Sequence, residues 1–134
     1  TGPERAEKRS PITMETTPNS VWTFLSHVEF PAEMAPFLVA GEVPVASFKT
    51  VRDTATFTNR RLIVRDAQGL RGKKIETVSI PYSSISMWST ENAGTLDFNA
   101  EIQLWTRAGV MKINVGRGID VVALDQLIAH SVLG

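Results

Sequence analysis

Apolar and polar positions follow three different rhythms along this chain. Residues 1–20 have none: Pro3, Pro11 and Pro18 stand among charged and small polar side chains, with no face to bury. That predicts a tail rather than a packed element. Residues 21–26, VWTFLS, are abruptly apolar. They are too short for a free-standing helix and must lie on something, either their own domain or a neighbour. PAEMAPFLV, residues 31–39, predicts a short helix, with Pro31 at its first position and Glu33 at the positive end of its dipole. Pro36 limits its length.

From Val43 the period falls to two. VPVASFKT, RDTATFT, RLIVRDA, KKIETVSI and SISMWSTE are short and rich in β-branched and aromatic residues. Gly, Asn and Pro separate them, the mark of successive strands. AQGLRG is the expected turn between strands 61–67 and 73–80. The clearest alternation is 96–104. Leu96, Phe98, Ala100, Ile102 and Leu104 interleave with Asp97, Asn99, Glu101 and Gln103, which gives one dry face and one wet face. VMKINV returns beside it, with Met111, Ile113 and Val115 on the dry side. The rhythm then changes to helical. Asp120 is placed as an N-cap before VVALDQLIAHSVL, and Leu124, Leu127 and Ile128 share one face. Ile119 and Leu124 are spaced for a hydrophobic staple.

Several stretches carry a family resemblance. FKTVRDTATFTNRRLIVRDAQGLRGKKIETVSIPYSSI and ENAGTLDFNAEIQLW resemble the bacterial pleckstrin-homology (PH) domain family, most specifically at Phe57-Thr58-Asn59-Arg60-Arg61-Leu62, Gly72-Lys73-Lys74, Ser79-Ile80-Pro81-Tyr82 and Ala93-Gly94-Thr95. The resemblance covers roughly residues 34–133. It implies a mainly β, PH-like barrel of about seven antiparallel strands, capped by a C-terminal helix and preceded by a short N-terminal helix. It also implies a small cytoplasmic module that forms homo-oligomers, with ring-like assembly one form of them. The expected division is an N-terminal extension over 1–26, flexible or interface-forming, and a PH-like domain over 27–134.

Composition narrows the chemistry. The 134 residues suffice for one domain with a core of its own. There is no cysteine, so neither a disulfide framework nor a thiolate metal site exists; this suits a reducing compartment. The net charge is zero, but residues 49–74 hold eight bases against two acids. A neutral total argues against nucleic acid as a partner. A local excess of this size can bias one surface toward anions.

Arg60, Lys73 and Lys74 are therefore the candidate anion-binding residues. The bland alternative, which we favour, is that these bases solvate strand rims and discourage stray edge pairing. Eukaryotic PH domains hold inositol phosphates with basic residues near the first hairpin loop. That hairpin here turns through Thr50-Val51-Arg52-Asp53, too short for a basic cradle. A membrane-lipid headgroup or a nucleotide is accordingly the second reading, not the first.

Trp22, Phe24 and Trp105 are the candidate interface residues: two in a segment that cannot form its own core, one at the polar end of an alternating strand. Trp88 is ambiguous between core and surface. His27 and His130 lie far apart, without a second histidine at helical metal spacing. Asp97 and Glu101 read as an ordinary wet face. No nucleotide-binding loop or nucleophile elbow occurs. We expect no enzyme activity, cofactor or metal, and instead a self-assembling scaffold for an unidentified protein partner.

Overall fold

The computed structural model describes residues 20–68, 74–94 and 99–134. Eight strands form one curled sheet in the order β5-β4-β3-β2-β1-β8-β7-β6. They are β1 (Ser20–Val28), β2 (Pro44–Thr50), β3 (Asp53–Thr58), β4 (Arg61–Gln68), β5 (Lys74–Pro81), β6 (Ile85–Glu91), β7 (Ala100–Thr106) and β8 (Gly109–Val115). A 3-10 helix, Ala32–Phe37, follows β1, and a second, Tyr82–Ser84, joins β5 to β6. The chain closes with helix α1, Val121–Leu133.

The expected architecture is present, with one strand more and one parallel pairing. VWTFLS is the centre of β1, which pairs antiparallel with β2 and parallel with β8. The boundary expected after residue 26 thus falls inside a strand at the middle of the sheet. Its alternation was hidden because both faces are apolar: Trp22 and Phe24 point inward and are buried, while Val21 and Leu25 point outward and are exposed. Phe24 is 0% exposed. It stacks on Phe48 at a centroid distance of 5.1 Å and meets Phe57 edge-on at 6.2 Å, both favoured aromatic geometries.

The strand expected over 96–104 is described from Ala100 onward. Leu96 and Phe98 lie outside the described residues, as does most of the AQGLRG turn. Ile102 and Leu104 are fully buried, facing Ile113 and Met111 across the ladder. The capping stripe is also in place, since Leu124 and Ile128 enter the same core. The Asp120 side chain accepts hydrogen bonds from the Val122 and Ala123 amides at 3.0 and 3.2 Å. α1 is tied to β6 by Asp125, whose Oδ1 accepts from Trp88 Nε1 at 2.9 Å and Thr90 Oγ1 at 2.6 Å. Trp88, opposite Leu104, therefore faces inward.

The expected short helix is a 3-10 helix in which Pro31 precedes the first turn rather than occupying it. Pro36 removes an amide donor, and Met34 alone in this helix is buried. The segment 29–43 forms a strap over the outer face of β2–β4. Arg61 and Arg65, which flank Ile63 on that face, both bond to it: Arg61 Nη2 to the Phe37 carbonyl at 2.6 Å, and Arg65 Nη1 to Glu33 at 3.1 Å. This explains why Ser47, Thr56 and Ile63, one outward rank in register, are buried. The two hydroxyls satisfy each other at 2.8 Å, as buried polar groups must.

Candidate functional site

The basic block is largely engaged from within. Arg61 clasps Glu42 through two oxygens, Nε to Oε2 at 2.8 Å and Nη2 to Oε1 at 2.9 Å. Thr58 Oγ1 and the Val39 amide complete the carboxylate at 2.7 and 3.0 Å. The Arg61 guanidinium holds the Glu42 carboxyl down to about 2, against the opposing cost of burial. Arg52 pairs with Asp66 at 2.6 Å, and Arg65 with Asp53 at 3.4 Å as well as with Glu33. Lys49, Arg60 and Lys74 are exposed.

The candidate anion-binding residues do not form one cluster. Arg60 precedes the end of the β4–β5 ladder where Arg61 faces Pro81, and Lys74 faces Gln68 at the other end. Seven residues at ~3.3 Å each separate these ends by roughly 23 Å. Lys73 lies outside the described residues. The ladder places the two described bases at opposite ends of one hairpin, as the expected pairing of strands 61–67 and 73–80 implies.

The aromatic candidates also divide. Trp22 and Phe24 dock on their own barrel, so neither presents a free face. Trp105 is half-buried and points outward, in one rank with Met87 of β6 and Val110 of β8. Beyond this rank the sheet ends. Among the described strands, β5 pairs only with β4 and β6 only with β7. Between β5 and β6 the chain buries Tyr82 in the core. Its hydroxyl donates to the Thr58 carbonyl at 2.6 Å, and burial pushes its pKa up to about 12.

Sequence reasoning missed a groove between α1 and the start of β2. One part is a slot of about 100 Å³ whose lining includes His27, Phe48, Ile119, Asp120, Leu124 and Leu127. The His27 ring leans on Phe48 with centroids 4.6 Å apart. The adjoining part is wider, about 530 Å³, bordered by Val45, Asn59, Ala123, Gln126, His130 and Ser131. Val45, apolar at an outward strand position, was the available signal. Both histidines thus border one feature despite their separation in sequence. Among the described residues, no three His, Asp or Glu side chains are grouped to hold a metal ion. No described helix is long and apolar enough to cross a membrane.

The sequence model of the bacterial PH domain matches residues 20–132 and so takes in β1 as well as the helix. The chain belongs to this family. Among curated relatives, it is 48% identical over 81 residues to the uncharacterized protein YjqA of Bacillus subtilis. That match covers 60% of this chain and 65% of YjqA, slightly under two thirds of the relative's length. Among solved structures, this bacterial PH domain is similar to a DUF1696 family protein with a pleckstrin-homology domain from Shewanella loihica. The TM-score is 0.74 at 33% identity, over 80% of this chain and 96% of that one. A pleckstrin homology domain from Shewanella amazonensis gives a TM-score of 0.63 at 41% identity, over 77% and 85% of the two chains.

Proposed function

We propose that this bacterial PH domain is a non-catalytic, self-assembling module that scaffolds a protein partner in the cytoplasm. The observation that carries the reading is the pair of sheet edges, β5 and β6, that no other described strand pairs. Unpaired edges present rows of amide and carbonyl groups that another strand can satisfy. Two different edges on one protomer suit a heterologous contact, the kind that closes into a ring. The outward rank of Trp105 and Met87 adjoins the β6 edge and supplies apolar area there. The absence of cysteine suits a reducing compartment.

Sedimentation velocity at tens of micromolar tests the assembly. The expected result is an oligomer that dissociates when Ile75 on β5 and Ser89 on β6, both exposed, are replaced by lysine. A monomer at that concentration overturns the reading. Recognition of an anionic headgroup or nucleotide is the weaker alternative, because Arg52, Arg61 and Arg65 are already paired and Arg60 is far from Lys74. Salt-sensitive flotation with acidic vesicles, lost on Arg60→Ala, would restore it.

A further inference from the structure

The strap over β2–β4 is fastened unequally along its length. Its second half is fixed to the sheet. Glu42 is buried and accepts hydrogen bonds from Arg61, Thr58 and the Val39 amide. Asn59 adds two more, Oδ1 accepting from the Val43 amide at 2.8 Å and Nδ2 donating to the Gly41 carbonyl at 3.1 Å. The Val43 carbonyl in turn accepts from the Asn59 amide at 3.0 Å.

The first half, residues 29–38, is held differently. The β1–β2 ladder ends where Val28 faces Ser47. Beyond it, the Met34 and Leu38 amides bond to the Pro31 and Ala35 carbonyls, within the same half. Side chains make the attachment to the sheet. Arg65 pairs with Glu33, whose side chain is 62% exposed, and Arg61 Nη2 donates to the Phe37 carbonyl. Such exposed pairs contribute little. Met34 and Ile63 are buried, yet neither belongs to the inner core cluster; small satellite patches of this kind form under long connections. The Ser47 and Thr56 hydroxyls bond to each other, so lifting the segment leaves neither without a partner. A segment with few buried contacts opens below the free energy of global unfolding.

We propose that residues 29–38 are a hinged flap, which lifts between Val28 and the Glu42 clasp while the barrel stays folded and so gates access to Ser47, Thr56 and Ile63. The device is independent of self-assembly.

The chain has no cysteine, so one introduced thiol reports on one place. Ser47→Cys lies under the flap, at a buried position; Val64→Cys faces the inner core. Both are labelled with iodoacetamide, slowly enough that the rate follows the population of the open form. The Ser47→Cys thiol should react faster, and almost independently of urea below the unfolding transition, because a lifted flap exposes little surface. Adding Ile113→Val, a fully buried change on β8, should speed the Val64→Cys thiol about two- to tenfold and leave the Ser47→Cys thiol unchanged. Met34→Ala should speed the Ser47→Cys thiol about thirtyfold or more. Amide exchange in the unsubstituted chain is the second measurement: Met34 and Leu38 should show the shallow urea dependence, Ile63 and Val64 the steep one. Equal rates or equal urea slopes for the two thiols, a common acceleration by Ile113→Val, or protection of the Met34 and Leu38 amides to the level of Ile63 overturns the proposal.

Discussion

Replacing Phe24 by alanine tests whether β1 is the middle of the sheet or an appendage. Phe24 is 0% exposed and touches two further rings, Phe48 and Phe57. A buried Phe→Ala change costs about 3–5 kcal/mol, transfer and cavity together. Loss of the stacked and edge-on contacts favours the upper half of that range, so we take ~4 kcal/mol. Whole-domain stability is of order 5–15 kcal/mol, so this variant should be close to unfolding. With a urea slope near 2 kcal/mol/M, the midpoint falls by about 2 M. The outward neighbour Leu25, 43% exposed, is the control; Leu25→Ala should stay within about 0.5 kcal/mol. Both are measured by urea titration followed by circular dichroism at one fixed protein concentration, because assembly couples to apparent stability. Equal effects of the two substitutions, or a Phe24→Ala cost below 1 kcal/mol, would refute the placement of β1.

Three further outcomes follow from the geometry. The Glu42 carboxyl is held at about 2 in the fold against 4.5 ordinarily. Its contribution, about 3 kcal/mol, is therefore complete above pH 4.5 and disappears as pH falls toward 2. Glu42→Gln should flatten that part of a pH–stability profile measured by thermal melts; an unchanged profile would contradict the clasp. A Cβ at Gly116 would lie 3.0 Å from the carbonyl oxygens of both Phe24 and Leu25. Gly116→Ala should therefore cost about 1–3 kcal/mol in denaturant titration, and a neutral result would mean that the residue leaving β8 approaches β1 less closely than described. Asp120→Ala removes the cap of α1 and should cost about 1 kcal/mol, visible as a lowered melting temperature. Asp120→Asn should recover most of it.

The sequence was most legible where one face of an element is wet. Glu101 and Gln103 between Ile102 and Leu104 declare a strand, and Asp120 before the Leu124–Ile128 stripe declares a capped helix. β1 was illegible as a strand because Val21 and Leu25 on its outer face are as apolar as Trp22 and Phe24 within, which erases the period of two. The pairing within the basic block was illegible for a different reason. Its counter-charges Glu33 and Glu42 belong to the strap, which reaches Arg65 and Arg61 only once the chain has folded over β2–β4. Charge counted along a sequence window cannot see partners nineteen or more residues away. The groove was hidden similarly, since His27 and His130 border its two adjoining parts from distant places in the chain.

The parallel pairing of β1 with β8 sets an order of events during synthesis. Ser20 faces Met111, so the ribosome adds about ninety more residues before the second flank of β1 exists. At roughly 5–20 residues per second, a Val-Trp-Thr-Phe-Leu ribbon can hydrogen-bond along one side only for several seconds. Nascent chains arrested before β8 should accordingly be sticky, and chaperone engagement should end when the last strand emerges. The earliest-made piece of the sheet is the last to be enclosed.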